Sequence, residues 1–157
     1  MGKKTLLTQI ESHLKQLNLH FDKEEENNSF SLSFDMENTQ IDVRITCDTE
    51  VDRAFLSGFS TIKVPKEKRL TVLEKINQIH WEDYWNAHLL INEETKNIMS
   101  YAVLYAFEGL DYEVFKETLC DITNIIDAHF KELMQIIVNP DLCEMAMKMQ
   151  GNDTLAN

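Results

Sequence analysis

The sequence predicts an α+β fold in which helices pack on one antiparallel sheet, with the element order α-β-β-β-α-β-β-α. Three observations predict this class. Apolar residues recur every three or four positions in three separate segments, which is typical of amphipathic helices. Between those segments they mostly alternate with polar residues, as in strands with one wet face. The links between neighbouring predicted strands are short, which favours antiparallel pairing.

The first helix and the first hairpin are predicted from this change of period. Helical spacing covers residues 5–18, and the charged residues 22–28 then interrupt it as a predicted solvated loop. Alternation follows over residues 29–34 and again over residues 41–47, with a polar turn between them, which predicts a hairpin. The apolar stripe of the helix consists of Leu6, Leu7, Ile10, Leu14 and Leu17.

A third strand and a second helix come next. The strand is predicted over residues 55–64, where Gly58 indicates either a bulge or a close backbone approach. Pro65 suits the first position of a helix, because an N–H there has no intrahelical partner, and the helix is predicted to run to about His80. Its buried side is predicted to consist of Leu70, Leu73, Ile76 and either Ile79 or His80.

Two more strands and a long helix complete the order. The fourth strand is predicted around residues 87–92 and the fifth over residues 98–107. Both faces of the fifth strand are apolar or aromatic, so one is expected in the core and the other is available to a partner. Asp111 is a good N-cap for the third helix, which Asn139 and Pro140 end. Its apolar stripe consists of Phe115, Leu119, Ile122, Ile126, Phe130, Leu133 and Ile137.

The domain boundaries follow from the absence of repeats, low-complexity blocks and linkers. Residues 1–150 are predicted to form a single domain, and residues 151–157 a polar tail that frays. The amphipathic stretch before this tail carries a methionine cluster, for which packing onto the domain and an adaptable binding surface are the two interpretations. The cluster consists of Met145, Met147 and Met149.

The charge of the chain is acidic and unevenly distributed. The net charge is −12; residues 1–80 hold 11 basic and 13 acidic side chains, whereas residues 81–157 hold 4 and 14. An acidic surface repels phosphate backbones and anionic lipids, so neither nucleic acid nor a membrane is an expected partner. The acidity fits either a role in solubility or contact with a basic or mixed-charge protein.

The cysteines and the N-terminal stretch indicate a cytoplasmic protein. Cys47, Cys120 and Cys143 are far apart and odd in number, which predicts free thiols rather than disulfides or a metal site. Cys47 and Cys120 are expected to be buried and inert. No apolar run approaches the roughly 20 residues that span a bilayer, and the N-terminal stretch does not read as a secretory signal.

The stretch HWEDYWNAH, residues 80–88, concentrates potential functional groups. A metal or catalytic site built from His80, Glu82, Asp83 and His88 is one interpretation. The predicted elements oppose it, because His80 ends a helix and His88 begins a strand. A second interpretation has Trp81 and Trp85 closing the end of the helix and sealing the sheet. A third is an aromatic rim for a protein ligand, since Trp and Tyr dominate interface energetics.

Residues 64–137 resemble the YbjN-like family, also called bacterial sensory transduction regulators. The resemblance rests on Val64 and Pro65 opening a helix, Asn77 near its end, a strand around Ile91, and Asp111 before the closing helix. It implies a fold similar to type III secretion chaperones, which are small, acidic, non-enzymatic and usually homodimeric proteins that hold a partner chain. The family brings no catalytic residues to this sequence. The aromatic Trp81, Tyr84 and Trp85 depart from the family's polar turn.

Two functional hypotheses follow. The first is a non-catalytic protein-binding module, chaperone-like or regulatory, that holds a protein partner as a homodimer. No catalytic, cofactor-binding or metal-binding residue is expected in that case, and no cofactor. The alternative is an enzyme or a small-molecule or metal-binding domain with its site around His80 to His88. The candidate protein-binding residues are Trp81, Tyr84, Trp85, Tyr101 and Tyr105.

Overall fold

A computed structural model describes residues 5–138 of the chain. The predicted α+β class is confirmed: three helices pack on one antiparallel six-stranded sheet. The helices are α1 (Leu6–Gln16), α2 (Arg69–Glu82) and α3 (Tyr112–Val138). The strands are β1 (Asp22–Glu24), β2 (Ser29–Asp35), β3 (Gln40–Asp48), β4 (Arg53–Lys63), β5 (His88–Ile91) and β6 (Asn97–Tyr105). The predicted order of elements is confirmed, with β1 as an additional strand.

The sheet runs β1-β2-β3-β4-β6-β5, with every neighbouring pair antiparallel. β5 and β1 are therefore its two edges. β1 corrects the prediction of a solvated loop over residues 22–28. Its three residues are all exposed, so they carry no alternating pattern, and backbone pairing with β2 alone makes them a strand.

The core lies between the sheet and the helices. Leu6, Ile10 and Leu14 of α1 are buried, as the helical spacing predicts. α3 begins as predicted, because the Val114 N–H donates to Asp111 Oδ1 at 3.0 Å. The buried side of α3 consists of Phe115, Thr118, Leu119, Ile122, Thr123, Ile125, Ile126 and Leu133, while Phe130 and Ile137 are half-buried. No helix in residues 5–138 is long and apolar enough to cross a membrane.

α2 departs from prediction in two ways. A 3₁₀ turn (Lys66–Lys68) follows Pro65, so the α-helix itself begins only at Arg69. The predicted buried side is also wrong in part: Ile76 and Ile79 are buried, but Leu70 is 70% and Leu73 38% exposed, and His80 is exposed. Val72 is buried in their place.

The cysteines divide into one buried and one exposed thiol. Cys47 lies in the core as predicted, and burial raises the pKa of its thiol to about 12, which makes it unreactive. Cys120 is exposed, so the prediction that it is buried is wrong: it lies on α3 beside the buried Leu119 but points to the other side of the helix. Cys143 and the methionine cluster lie outside the described residues.

Candidate protein-binding surface

The two faces of the sheet are distinguished by α3. A Cβ on Gly58 would lie 3.0 Å from Ile122 Cγ2, and the Ser100 hydroxyl donates to the Ile122 carbonyl at 2.6 Å. Gly58 of β4 and Ser100 of β6 therefore face α3, and residues next to them in sequence face the other way. α1 and α2 both contact α3, so the three helices lie on this covered face. The close-approach interpretation of Gly58 is confirmed, while the register shift lies further on, between Phe59 and Lys63.

The opposite, open face carries a continuous apolar patch over β4, β6 and β5. Its rows follow from strand register: Phe55 lies opposite Val103, and Phe59 opposite Met99, which in turn lies opposite Leu90. Phe55 stacks on Tyr101 with ring centroids 6.3 Å apart. We define the open-face patch as Phe55, Phe59, Leu90, Met99, Tyr101, Val103 and Tyr105. No carboxylate belongs to it.

The rest of the open face, over β1 to β3, is polar. The Ser33 hydroxyl donates to Asp42 Oδ1 at 2.6 Å, and Arg44 Nη2 lies 3.3 Å from Glu24 Oε2. These side chains pair with one another at the surface. The open face is therefore divided into a polar half and an apolar half along the boundary between β3 and β4.

α2 carries apolar residues on two sides. Val72, Ile76 and Ile79 face the core, whereas Leu70, Leu73 and Trp81 form a second, outward stripe at spacings of three and eight residues. Trp81 is 85% exposed, and Tyr84, just beyond the helix, is fully exposed. A helix with two apolar sides is common where one side packs on the core and the other binds a second protein. We call Leu70, Leu73 and Trp81 the α2 outer stripe.

The stretch of residues 80–88 divides as its predicted elements imply. α2 ends at Glu82 and β5 begins at His88. Trp85 is half-buried and packs against the core, which agrees with a sealing role. Trp81 points to solvent, so the prediction that the two tryptophans seal the fold together is wrong for Trp81.

The turn between these elements nevertheless brings the two histidines together. The rings of His80 and His88 lie 5.4 Å apart, edge to face. The Leu89 N–H donates to His80 Nε2 at 2.9 Å, which occupies the lone pair that a metal would need. Burial, and secondarily the charge of His88, lower the pKa of His80. No group of three or more metal-ligating side chains is found within residues 5–138.

A second polar cluster ties the same turn to α3. Asp83 Oδ2 lies 3.0 Å from His129 Nε2, and Glu132 Oε2 lies 2.9 Å from Lys75 Nζ. The hydrogen bond from Lys75 is the main cause that lowers the pKa of Glu132. The Asn86 N–H also donates to Asp121 of α3 at 2.8 Å. The turn is therefore joined to α3 through Asp83 and Asn86, and the Asp83 carboxylate already has a partner in His129.

The five candidate binding residues lie in three places. Trp81 and Tyr84 are exposed at the end of α2, and Trp85 packs inward between them and the core. Tyr101 and Tyr105 lie on the open-face patch, where Tyr101 is opposite His88. His88 contacts His80, which lies on the same side of α2 as Leu73. The two histidines therefore lie between the open-face patch and that side of α2.

Sequence reasoning missed several members of this surface. Helical spacing predicts Leu70 and Leu73 in the core, and the strand predicted over residues 55–64 leaves the face of Phe55 and Phe59 unassigned. One signal was present: α2 has apolar residues in excess of what one buried side can hold. The strand pattern of residues 55–63 also places two aromatic residues, Phe55 and Phe59, four positions apart on the face opposite Gly58.

Comparison with solved structures identifies the fold. A chain of the ExsC–ExsE complex matches 83% of this chain and 97% of its own length, with a TM-score of 0.61 and 18% identity. YbjN from E. coli matches 81% of this chain and 94% of its own, with a TM-score of 0.55 and 15% identity. The chain has the YbjN-like, type III secretion chaperone-like fold. The resemblance drawn from the sequence is confirmed at this level.

Other structures with this fold include chaperone complexes. The HopA1–SchA chaperone–effector complex matches 77% of this chain and 89% of that chain, with a TM-score of 0.55 and 13% identity. No protein-family model matches the sequence, and no curated protein is significantly similar to it. The YbjN-like fold is therefore shared at the level of structure, with little sequence identity.

Proposed function

We propose that this chain is a non-catalytic protein-binding module that holds a protein partner as a homodimer in the cytoplasm. The observation that carries the proposal is the apolar surface of the open-face patch and the α2 outer stripe, which no helix of residues 5–138 covers. Large exposed apolar surfaces mark interaction sites. The fold supports the same function, since the HopA1–SchA structure is that of a chaperone–effector complex.

Charge supports a second copy as one occupant of this surface. Each chain carries a net charge of −12, so two chains can associate only where few carboxylates face one another. The open-face patch contains none, and at its end Arg53 is already paired with Asp48 at 3.1 Å. Trp81 and Tyr105 supply the large aromatic groups that dominate interface energetics. We infer that the homodimer buries the open-face patch and the α2 outer stripe.

The geometry around His80 favours the non-catalytic interpretation over the alternative. A ligand or metal site there requires convergent, unoccupied polar groups. His80 Nε2 already accepts a backbone hydrogen bond, and Asp83 contacts His129. The free thiols Cys47 and Cys120 fit a reducing compartment, which supports the cytoplasm as its location.

Light scattering on the purified chain tests the dimer. We expect a dimer at micromolar concentration. Trp81→Glu or Tyr105→Glu should weaken it by at least about tenfold, because each puts a charge into the interface. Thr71→Glu is the matched control, because it adds the same charge at an exposed position on α2. A clean wild-type monomer at this concentration would contradict the dimer.

Affinity capture from the native cytosol, followed by mass spectrometry, tests the binding of a partner. We expect one or a few proteins to be recovered in stoichiometric amount and to be retained after a salt wash. Recovery of a small molecule with no protein would overturn the proposal in favour of a ligand-binding domain.

A further inference from the structure

A groove at the far end of the sheet from α2 lies between α1, the β3–β4 turn and the loop from β6 to α3. Its volume is about 810 Å³, within the range of about 300–1,000 Å³ typical of ligand clefts. α1 contributes one wall, with Leu7, Gln9 and His13. Asp52 lies in the turn and Phe107 and Glu108 in the loop.

Hydrogen bonds hold the walls of this groove in place. The Ala106 N–H donates to the Asp52 carbonyl at 2.8 Å, which joins the β3–β4 turn to the end of β6. The Leu110 N–H donates to Gln9 Oε1 at 2.7 Å, and His13 Nε2 lies 2.8 Å from the Leu110 carbonyl, so two α1 side chains hold the loop. A pre-formed groove binds a chain with less loss of conformational entropy than one that must first be ordered.

The groove has an apolar side that adjoins the open-face patch. Leu7 is half-buried, and Phe107 is 61% exposed. Phe107 stacks on Tyr105 of the patch with ring centroids 5.7 Å apart. A side chain that enters the groove against Phe107 would therefore exchange water for contact with a large aromatic ring.

The charged residues that line the groove carry one sign within the described part of the chain. Among residues 5–138, Asp52 and Glu108 line it, and no lysine or arginine does. Arg53, which follows Asp52 in sequence, is paired with Asp48 at 3.1 Å. His13 directs Nε2 at the Leu110 carbonyl, so this nitrogen donates to the loop and not to an occupant of the groove. An occupant that is both apolar and basic complements these walls.

We propose that this groove binds an extended segment of the protein partner in which a lysine or arginine stands next to a large apolar residue. The apolar side chain packs against Leu7 and Phe107, and the cation lies between Asp52 and Glu108. This inference rests on the proposed protein-binding function and adds the chemistry of the partner to it. It also explains how so acidic a chain recognises a partner, since the groove selects for positive charge.

Selection from a phage-displayed library of random peptides, with the full-length chain as the immobilised target, tests this inference. We expect the selected peptides to be enriched in Lys or Arg adjacent to Leu, Ile, Met or Phe. Their synthetic, fluorescently labelled forms should bind the double variant Asp52→Asn, Glu108→Gln at least about tenfold more weakly, measured by anisotropy. Asn tolerates the left-handed backbone of Asp52, whose φ is 47°, so this variant keeps the fold.

Asp42→Asn is the matched control, because it removes a carboxylate from the polar half of the open face and should leave peptide affinity unchanged. Added salt should weaken binding to the wild type much more than binding to the double variant. The proposed role of the groove would be contradicted if the selected peptides lacked basic residues, or if they bound wild type and double variant equally well. Neither result would contradict the protein-binding function itself. Failure to select any peptide would also contradict the proposed role of the groove. Affinity capture from the cytosol then tests the protein-binding function separately.

Discussion

On the covered face of the sheet, Gly58 and Ser100 lie in direct contact with α3, whereas on the open face their neighbours Ser57 and Tyr101 have no described helix above them. Both faces of β6 are largely apolar, and β4 adds Phe55 and Phe59 to the open face. The difference between the two faces is therefore the presence of a helix rather than the composition of the strand. The apolar composition of a sheet face indicates that the face is buried by something. It does not indicate whether a helix of the same chain or a second protein buries it.

The two faces should respond differently to the loss of an aromatic ring, and this gives the largest expected effect. Phe115 of α3 is completely buried, so Phe115→Ala should lower the free energy of unfolding by about 4 kcal/mol. Phe59→Ala on the open face, where the ring is 38% exposed, should cost less than about 1 kcal/mol. Urea denaturation of both variants in a Tyr105→Glu background, in which the dimer is weakened, measures the two losses. Equal losses would remove the distinction between the faces.

An added methyl group should distinguish the faces next most strongly. A Cβ on Gly58 would collide with the Ser100 hydroxyl and lie 3.1 Å from the Ile122 carbonyl, so Gly58→Ala should cost about 3 kcal/mol. Ser57→Ala, one residue away on the open face, should change stability by less than about 0.5 kcal/mol. Adding Ser100→Ala to Gly58→Ala should restore part of the loss, because it removes the nearest atom. If the second substitution restores no stability, the contact of the added methyl group with Ile122, and not with Ser100, causes the loss.

Hydroxyl groups provide a smaller contrast. Ser100→Ala removes a fully buried hydrogen bond of 2.6 Å to α3 and should cost about 1 kcal/mol. Ser33→Ala removes a bond of the same length to Asp42, but in solvent, and should cost less than about 0.5 kcal/mol. Thermal denaturation at one protein concentration measures the two variants against wild type. A larger loss for Ser33 would contradict the assignment of the faces.

His80, at the boundary between the faces, should give the smallest effect. Its pKa in the folded chain lies below its usual value of 6.5, so its contribution to stability is complete above that pH and is lost as the pH falls through 6.5 towards the lowered value. The urea midpoint should therefore fall slightly more in wild type than in His80→Gln between about pH 7.5 and 5.5. Gln keeps an acceptor for the Leu89 N–H without titrating. Parallel midpoints in the two proteins would show that His80 is not coupled to folding.

The sequence predicts best those elements whose apolar residues all lie on one side of the helix or strand. α3 has one apolar side, and its stripe and its cap at Asp111 follow directly from spacing. α2 has two apolar sides, so periodicity could not decide between Leu70 and Val72 as the buried residue. β1 has no apolar side at all, and only its pairing with β2, a non-local event, makes it a strand.

The sequence predicts that an aromatic surface is present near residues 80–88 and on the fifth predicted strand, but it does not predict which other residues belong to that surface. Trp81 and Tyr84 follow from their departure from the polar turn of the YbjN-like family, and Tyr105 follows from a strand that is apolar on both faces. Phe59 and Leu73 belong to the same surface only through strand register and the rotation of α2, which depend on tertiary packing. The groove beside Asp52 joins three segments that are far apart in sequence, so no local pattern could reveal it.

The hydrogen bond from the Leu89 N–H to His80 has a consequence for aggregation. A sheet edge with free backbone donors can recruit a strand from another molecule, and natural proteins block such edges. At β5 the edge is only four residues long, and a side chain from α2 already occupies the Leu89 donor. The opposite edge, β1, is three residues long and carries Asp22, Lys23 and Glu24. Uncontrolled strand addition is thus opposed at both edges of the sheet.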